Sequence, residues 1–292
     1  MKKPTYKRQK ALLALLDIFG GELSKLELQK YMFLYVHEFS DDEHYGFVPY
    51  HYGSFSYELY KDLNTMQRNL VLNSNEKSIY LLSHGFIRDV SKDEQNTLKR
   101  FFTKYKNLKG NELINYIYKK YPFFAINSKI SKQFLSSSEL EKHKPHSTDI
   151  ALFTIGYEGK KFETYLNQLI KSDIKILVDV RKNAHSMKYG FSKSTLKNAV
   201  EKLGIKYIHI PNLGIESQNR QELNTKDDYL ALFAKYQKTL TQKSDELNYL
   251  NDLVQNEKRV AITCFEKDVE YCHRGVIAKE ICQQFKTDIK HL

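Results

Sequence analysis

The chain has 292 residues, 41% of them hydrophobic, with 21 Tyr and 17 Phe, enough to fill two cores at a length where single cores stop growing. No run approaches the ~18 apolar residues of a membrane span, and three cysteines, an odd number, argue against a disulfide framework and for a reduced cytoplasm. The formal charge is +11, with 23 basic against 17 acidic residues in 1–150 and 23 against 18 in 151–292, which suits a polyanion, DNA before RNA, touched by both halves, and equally a soluble Lys-rich surface.

Met1-Lys2-Lys3-Pro4 leads into a helix-like segment without a signal-peptide pattern. Ala11, Leu12, Leu15, Leu16 and Phe19 form a helical stripe that stops at Gly20-Gly21. Ser24-Lys25-Leu26-Glu27 is a capping box and predicts a second helix burying Leu28, Met32, Tyr35 and Val36. A short aromatic segment covers Tyr45 to Gly53, and Ser56 opens a third helix with Leu59, Leu63, Met66 and Leu70 on one face. Ile79–Leu82 reads as a strand, Ser91–Glu94 as another capping box, and Tyr121-Pro122 as the end of the last helix of this half. This order predicts a mostly helical, winged-helix-like domain over 1–135. The polar stretch Ser136–Ser147 has no periodicity and predicts a linker, 136–149.

The second half, 150–292, alternates between apolar runs and helical patterns. The runs are Ala151–Ile155, Ile174–Val180, Tyr207–Ile210 and Val260–Cys264. Helical stripes lie between them, and a final helix carries Ile277, Ile281 and Phe285. Alternation of this kind predicts an α/β domain with a mainly parallel, Rossmann-like sheet.

Ligands of such sheets bind beyond the carboxyl ends of the strands. The first strand runs into Gly156-Tyr157-Glu158-Gly159, whose glycines free N–H groups for a phosphate or simply make a turn. The second ends in Asp179-Val180-Arg181, an acid and a base on opposite faces that serve the cleft or cap the sheet. His185 and Ser186 in the following loop, and His209 on the third strand, are lesser candidates. The fourth strand brings Cys264 and Glu266, and Cys272-His273-Arg274 opens the final helix eight residues after Cys264. A thiol at a helix N-terminus beside Arg274 gains thiolate character, the Arg274 fork suits a phosphate, and Glu266 suits a general base. Either cysteine could equally be a small buried residue. A metal is not expected, because Cys264 and Cys272 form no Cys-x-x-Cys knuckle and there is no second pair. No cofactor motif is present.

The blocks Thr154–Gly159, Asp179-Val180-Arg181, Gly190–Lys193, Tyr207-Ile208-His209, Leu213-Gly214-Ile215 and Cys264-x-Glu266…Cys272-His273-Arg274 resemble, over about 151–286, the bacterial family called domain of unknown function 488. Leu28–Tyr31 and Tyr52–Leu59 are similar to a toxin–antitoxin-associated helical domain. One block departs from the family pattern. After the Asp-Val-Arg strand the family has Pro and then Ser-Arg, whereas this chain has Ala184-His185-Ser186-Met187, with a thioether in place of a cation. The resemblance implies the fold, the site location and a setting in nucleic-acid handling or defence.

The expectation is therefore a cytoplasmic enzyme, hydrolase or transferase, acting on nucleic acid or a nucleotide-like substrate. Asp179, Glu266, Cys272 and Arg274 are the catalytic candidates. Gly156, Tyr157, Gly159, Arg181, Ser186, Cys264 and His273 are the substrate-binding ones. Two other readings stay open: sulfur transfer of the rhodanese kind through a cysteine, and a non-enzymatic DNA-binding ligand sensor. No membrane partner is expected, and the oligomeric state is left open, a homodimer included.

Overall fold

Serine caps set the helix starts of the first unit. Ser24 Oγ accepts from Glu27 N at 3.1 Å while the Glu27 carboxylate turns back to Ser24, so α2 (Lys25–Glu38) begins at the expected capping box. Ser56 and Ser91 cap α3 (Tyr57–Arg68) and α4 (Lys92–Tyr105) by accepting from Leu59 N and Glu94 N, without the return bond of a full capping box. α1 (Lys7–Ile18) gives way at Gly20 and Gly21, whose φ of 93° and 85° suit glycine. The computed structural model describes residues 4–42, 44–216 and 225–292 and divides into two units, Met1–Lys144 and Pro145–Leu292.

In the first unit β1 (Glu22–Ser24), β4 (Leu72–Ser74) and β5 (Ser78–Leu81) form an antiparallel sheet in the order β1-β5-β4. The aromatic segment after α2 contains a hairpin, β2 (Val48–Tyr50) and β3 (Gly53–Phe55). Lys30, buried on α2, fastens it by donating to Tyr52 O at 2.5 Å and Ser54 O at 3.1 Å. After α5 (Gly110–Lys120), a further helix, α6 (Ser137–His143), occupies the stretch expected to be a linker. Ser136 and Glu139 cap it reciprocally and Leu140 is buried. At seven residues it is too short to show a periodic stripe. Tyr121-Pro122 thus ends α5 but not the helical content of this half.

The second unit is α/β. Its elements are β6 (Ala151–Gly156), α7 (Phe162–Lys171), β7 (Ile176–Asp179), α8 (Lys193–Lys202), β8 (Lys206–His209), α9 (Lys226–Leu240), α10 (Ser244–Glu257), β9 (Arg259–Cys264), α11 (His273–Phe285) and β10 (Asp288–His291). Five strands make one all-parallel, Rossmann-like sheet in the order β10-β6-β9-β7-β8. β6, β7 and β9 are buried along their whole length, which explains their unbroken apolar runs. Val260 and Ile262 pack with Leu250 and Ile277 of α10 and α11 on one face, and Thr263 meets Tyr165 of α7 on the other. β10 is a fifth strand beyond the four expected; its Asp288 and His291 are exposed, so it carries no apolar signal. Among the described residues no helix is long and apolar enough to cross a membrane.

Candidate functional site

β6 and β9 pair in register, with Gly156 opposite Cys264. The helices that follow them, α7 and α11, lie on opposite faces and lead to strands on opposite sides of the pair. The crevice of an open parallel sheet falls where connections diverge in this way. It therefore opens above Gly156 and Cys264.

Four groups converge there. Cys264 Sγ lies 3.0 Å and Cys272 Sγ 2.9 Å from Glu266 Oε2, and the two sulfurs lie 3.6 and 3.9 Å from His273 Nδ1. Their donor atoms all fall within 4.8 Å of one another. Cys264, Cys272 and His273 are buried and Glu266 is half-buried. Strand β9 delivers Cys264, the turn after it delivers Glu266, and the first residues of α11 deliver Cys272 and His273. His273 Nε2 donates to Val180 O at 3.0 Å, which leaves Nδ1 as the lone pair facing the sulfurs. Its ring meets the edge of Tyr236 at 5.9 Å between centroids. Burial alone would raise the Cys264 thiol, yet Cys272 and His273 beside it hold it well below the usual value. Burial first, and then Cys264, push the Cys272 thiol well above it. The two thiols are therefore pushed in opposite directions. Cys272 is the N-cap residue of α11, as expected, but its sulfur turns to Glu266 rather than capping the helix.

The glycine turn and Arg274 pack against the 265–267 turn that carries Glu266. Tyr157 N and Glu158 N both donate to Phe265 O, at 3.1 and 2.8 Å, so these two of the loop's N–H groups are taken up within the fold. A side chain at Gly156 would meet Glu266 O at 1.8 Å. Glycine is required there for close approach of the 265–267 turn. Gly159, with φ +70°, completes the turn into α7. Arg274 is 2% exposed, and its two terminal nitrogens donate to Glu266 O at 2.5 Å and Lys267 O at 2.9 Å. Only its buried Nε lacks a partner. The fork that sequence assigned to a phosphate is spent on backbone carbonyls.

Asp179 and Arg181 were expected on opposite faces, but two residues apart they share one and pair with each other. Arg181 donates through Nε and Nη2 to Asp179 at 2.8 and 2.5 Å, and Tyr207 OH donates to Asp179 at 2.6 Å. Arg181 Nη1 donates to Tyr157 OH and Phe191 O, both at 2.8 Å. Burial alone would lower the Arg181 pKa, but Asp179 outweighs it and raises it. Asp179 is 0% exposed. A carboxylate so enclosed and so engaged has no route to a substrate, so the pair braces the end of β7. Tyr157 stacks on Phe191 at 4.3 Å and belongs to the same brace. Ser186 closes a turn, its N–H donating to Ser192 Oγ and its hydroxyl accepting from Lys188 N. Met187, the thioether in place of the family's cation, is 95% exposed. His185 is exposed, and His209 is engaged at both ring nitrogens by Arg181 O and Lys193 Nζ.

Two cavities open beside the cluster. The smaller, about 240 Å³, is lined by Ile215, Tyr229, Leu232, Phe233, Glu266, Tyr271 and His273. The larger, about 720 Å³, shares Tyr229, Phe233 and Tyr271 and adds Cys272 and Gln237 among others. The three shared aromatic residues were not singled out by sequence: Phe233 read only as part of a helical stripe with Leu230, Tyr236 and Leu240, and Tyr229 and Tyr271 carried no role. Sequence named all four cluster residues as candidates, and the structure adds that their donor atoms meet within 4.8 Å. The signal was the pairing of Cys-x-Glu at a strand end with Cys-His at the next helix start.

Residues 161–281 match the model of a family described as Domain of unknown function DUF488. The matched segment runs from α7 into α11 and includes all four cluster residues, Asp179, Arg181 and Arg274, and it lies wholly in the second unit. Neither a curated protein nor a solved structure matches the chain.

Proposed function

We propose that the second unit is an enzyme acting on a nucleotide or a nucleotide-like part of a nucleic acid, with Glu266 as the proton-transferring group. One observation carries this reading: the sulfur–imidazole–carboxylate cluster stands at the crevice of the sheet and Glu266, its least buried member, borders an open cavity. A half-buried carboxylate at a cavity wall is placed for general acid–base work, and a base inside the cavity would come within its reach. Tyr229, Phe233 and Tyr271 line both cavities and offer faces on which a planar base stacks, whatever its sequence. The reaction is hydrolysis or group transfer. Sulfur transfer is less well served, because both sulfurs are buried and contact a carboxylate, whereas a persulfide carrier needs an accessible thiolate.

In the same proposal the first unit docks the polymer, with DNA as the partner, and the protein works in the cytoplasm in nucleic-acid processing or genome defence. The order α1-β1-α2-α3-β4-β5, with the β2–β3 hairpin inserted between α2 and α3, and the antiparallel sheet β1-β5-β4 support a winged-helix-like reading of that unit. The positive excess in both halves supports a polyanionic partner.

The test incubates the full chain and Glu266→Gln with nucleoside monophosphates and with a short single-stranded oligodeoxynucleotide, and reads conversion by mass spectrometry. Conversion is expected from the parent protein and should fall roughly 10²–10⁴-fold in the variant with ligand retention unchanged. Equal conversion by both proteins, or no retention of either probe by the parent, overturns the proposal.

A further inference from the structure

We infer that Cys264, Glu266, Cys272 and His273 form a zinc-binding centre. The donor set is the first argument. Two sulfurs, one imidazole nitrogen and one carboxylate oxygen lie within 4.8 Å of one another. Such a set suits zinc and is foreign to the all-oxygen shells of magnesium and calcium.

The distances are the second argument. Zinc–sulfur bonds of about 2.3 Å and zinc–nitrogen bonds of about 2.0–2.1 Å, at tetrahedral angles, separate sulfur from nitrogen by roughly 3.5 Å. The observed separations from His273 Nδ1 are 3.6 Å to Cys264 and 3.9 Å to Cys272. The sulfur–carboxylate edges, 3.0 and 2.9 Å, are shorter than a metal-centred tetrahedron requires. They must open by about 0.5 Å to match the ~3.5 Å edge. Glu266 is the half-buried member, on a turn beside the cavity, and has the freedom to make that shift.

The surroundings are the third argument. A histidine ligand of a metal usually donates its other ring nitrogen to a carbonyl or carboxylate, which fixes the tautomer. His273 does so to Val180 O at 3.0 Å, presenting Nδ1 to the two sulfurs. Arg274 clamps the carbonyls of Glu266 and Lys267, so the turn carrying the carboxylate ligand is held in place by a charged brace. Each half of the ligand set comes from a rigid element, Cys264 from the end of β9 and Cys272-His273 from the start of α11. The three buried ligands hold the ion, and Glu266, at the cavity wall, is the corner that exchanges for water or substrate. The assignment stands apart from the choice of substrate.

The experiment loads the full chain with Zn²⁺, removes excess by gel filtration, and counts metal by inductively coupled plasma mass spectrometry. One zinc per chain is expected. Replacement by Co²⁺ should give the thiolate-to-metal charge-transfer absorption and the strong visible bands of a tetrahedral site. Cys272→Ser and His273→Ala should lose zinc, and Glu266→Gln should bind it roughly 10–100-fold more weakly while keeping the charge-transfer absorption. Cys282, half-buried and outside the cluster, is the internal control, and Cys282→Ser should load fully. Thiol titration of the unsubstituted protein serves where a variant misfolds: with zinc only Cys282 reacts, and after chelation Cys264 and Cys272 react as well. Failure of the parent chain to retain zinc, or unchanged zinc content in a folded Cys272→Ser, overturns the inference. Zinc loss alongside intact nucleotide conversion would remove the metal and leave the proposed activity. Zinc retention without conversion would do the reverse.

Discussion

Removing the Asp179 carboxylate separates a brace from a catalytic group. In Asp179→Ala, Arg181 loses the acceptor of its Nε and Nη2 bonds, now 2.8 and 2.5 Å, and Tyr207 OH loses its 2.6 Å partner. Arg181 is 5% exposed, so its charge stays buried, with Tyr157 OH and Phe191 O as its remaining acceptors. Breaking a buried pair from one side costs about 3–5 kcal/mol, whereas replacing both partners with apolar residues of similar volume is often close to neutral. Asp179→Leu with Arg181→Met should therefore recover most of the loss. Because the chain has two units, hydrogen exchange of the β7 amides reads the effect better than a single unfolding midpoint. Exchange from 176–179 should be roughly 10² to 4 × 10³ times faster in the single variant, following the ~1.4 kcal/mol per decade of an equilibrium. It should return towards the parent rate in the double variant. A double variant as unstable as the single one would refute the pair as the source of the cost. A double variant that is stable yet inactive on the nucleotide probes would refute the assignment of Asp179 as structural.

Gly156→Ala forces a side chain against Glu266 O, 1.8 Å from the ideal position, so the 265–267 turn must move. The expected outcome is a loss of about 1–3 kcal/mol, read by thermal unfolding, together with faster thiol labelling of Cys264 and Cys272. Lys30→Met leaves Tyr52 O and Ser54 O without their buried donor and should cost the first unit about 2–4 kcal/mol; exchange in the β2–β3 hairpin checks it. Glu38 gives a pH dependence. Burial alone would raise its carboxyl, but bonds from Tyr105, Lys104 and Lys120 outweigh burial and hold it below its ordinary 4.5. The unfolded chain therefore takes up the proton first, so this stabilisation is whole above about pH 4.5 and is lost as pH falls through the native value. Urea titration of the parent and Glu38→Gln between about pH 6 and pH 3 should show the steeper acid loss in the parent.

Short-range chemistry carried much of this protein's architecture. Ser24, Ser56 and Ser91 bond to N–H groups three residues on, so their helix starts are legible without any distant contact. The apolar runs ending at Gly156, Asp179 and Cys264 are buried on both faces, and such runs belong to the inner strands of a parallel sheet. Tertiary structure decided the rest. Strand order placed β9 between β6 and β7, which set Gly156 beside Cys264 and brought the 265–267 turn over it. An arginine fork bonds to whichever acceptors the fold leaves within reach. The sequence around Arg274 and Arg181 therefore read as ligand-binding, while the structure spends both forks on the protein itself. The four cluster residues were legible as candidates, but their approach to within 4.8 Å was not, because Cys264 and Glu266 meet Cys272 and His273 only where the turn between strand and helix doubles back, and no local periodicity encodes that return.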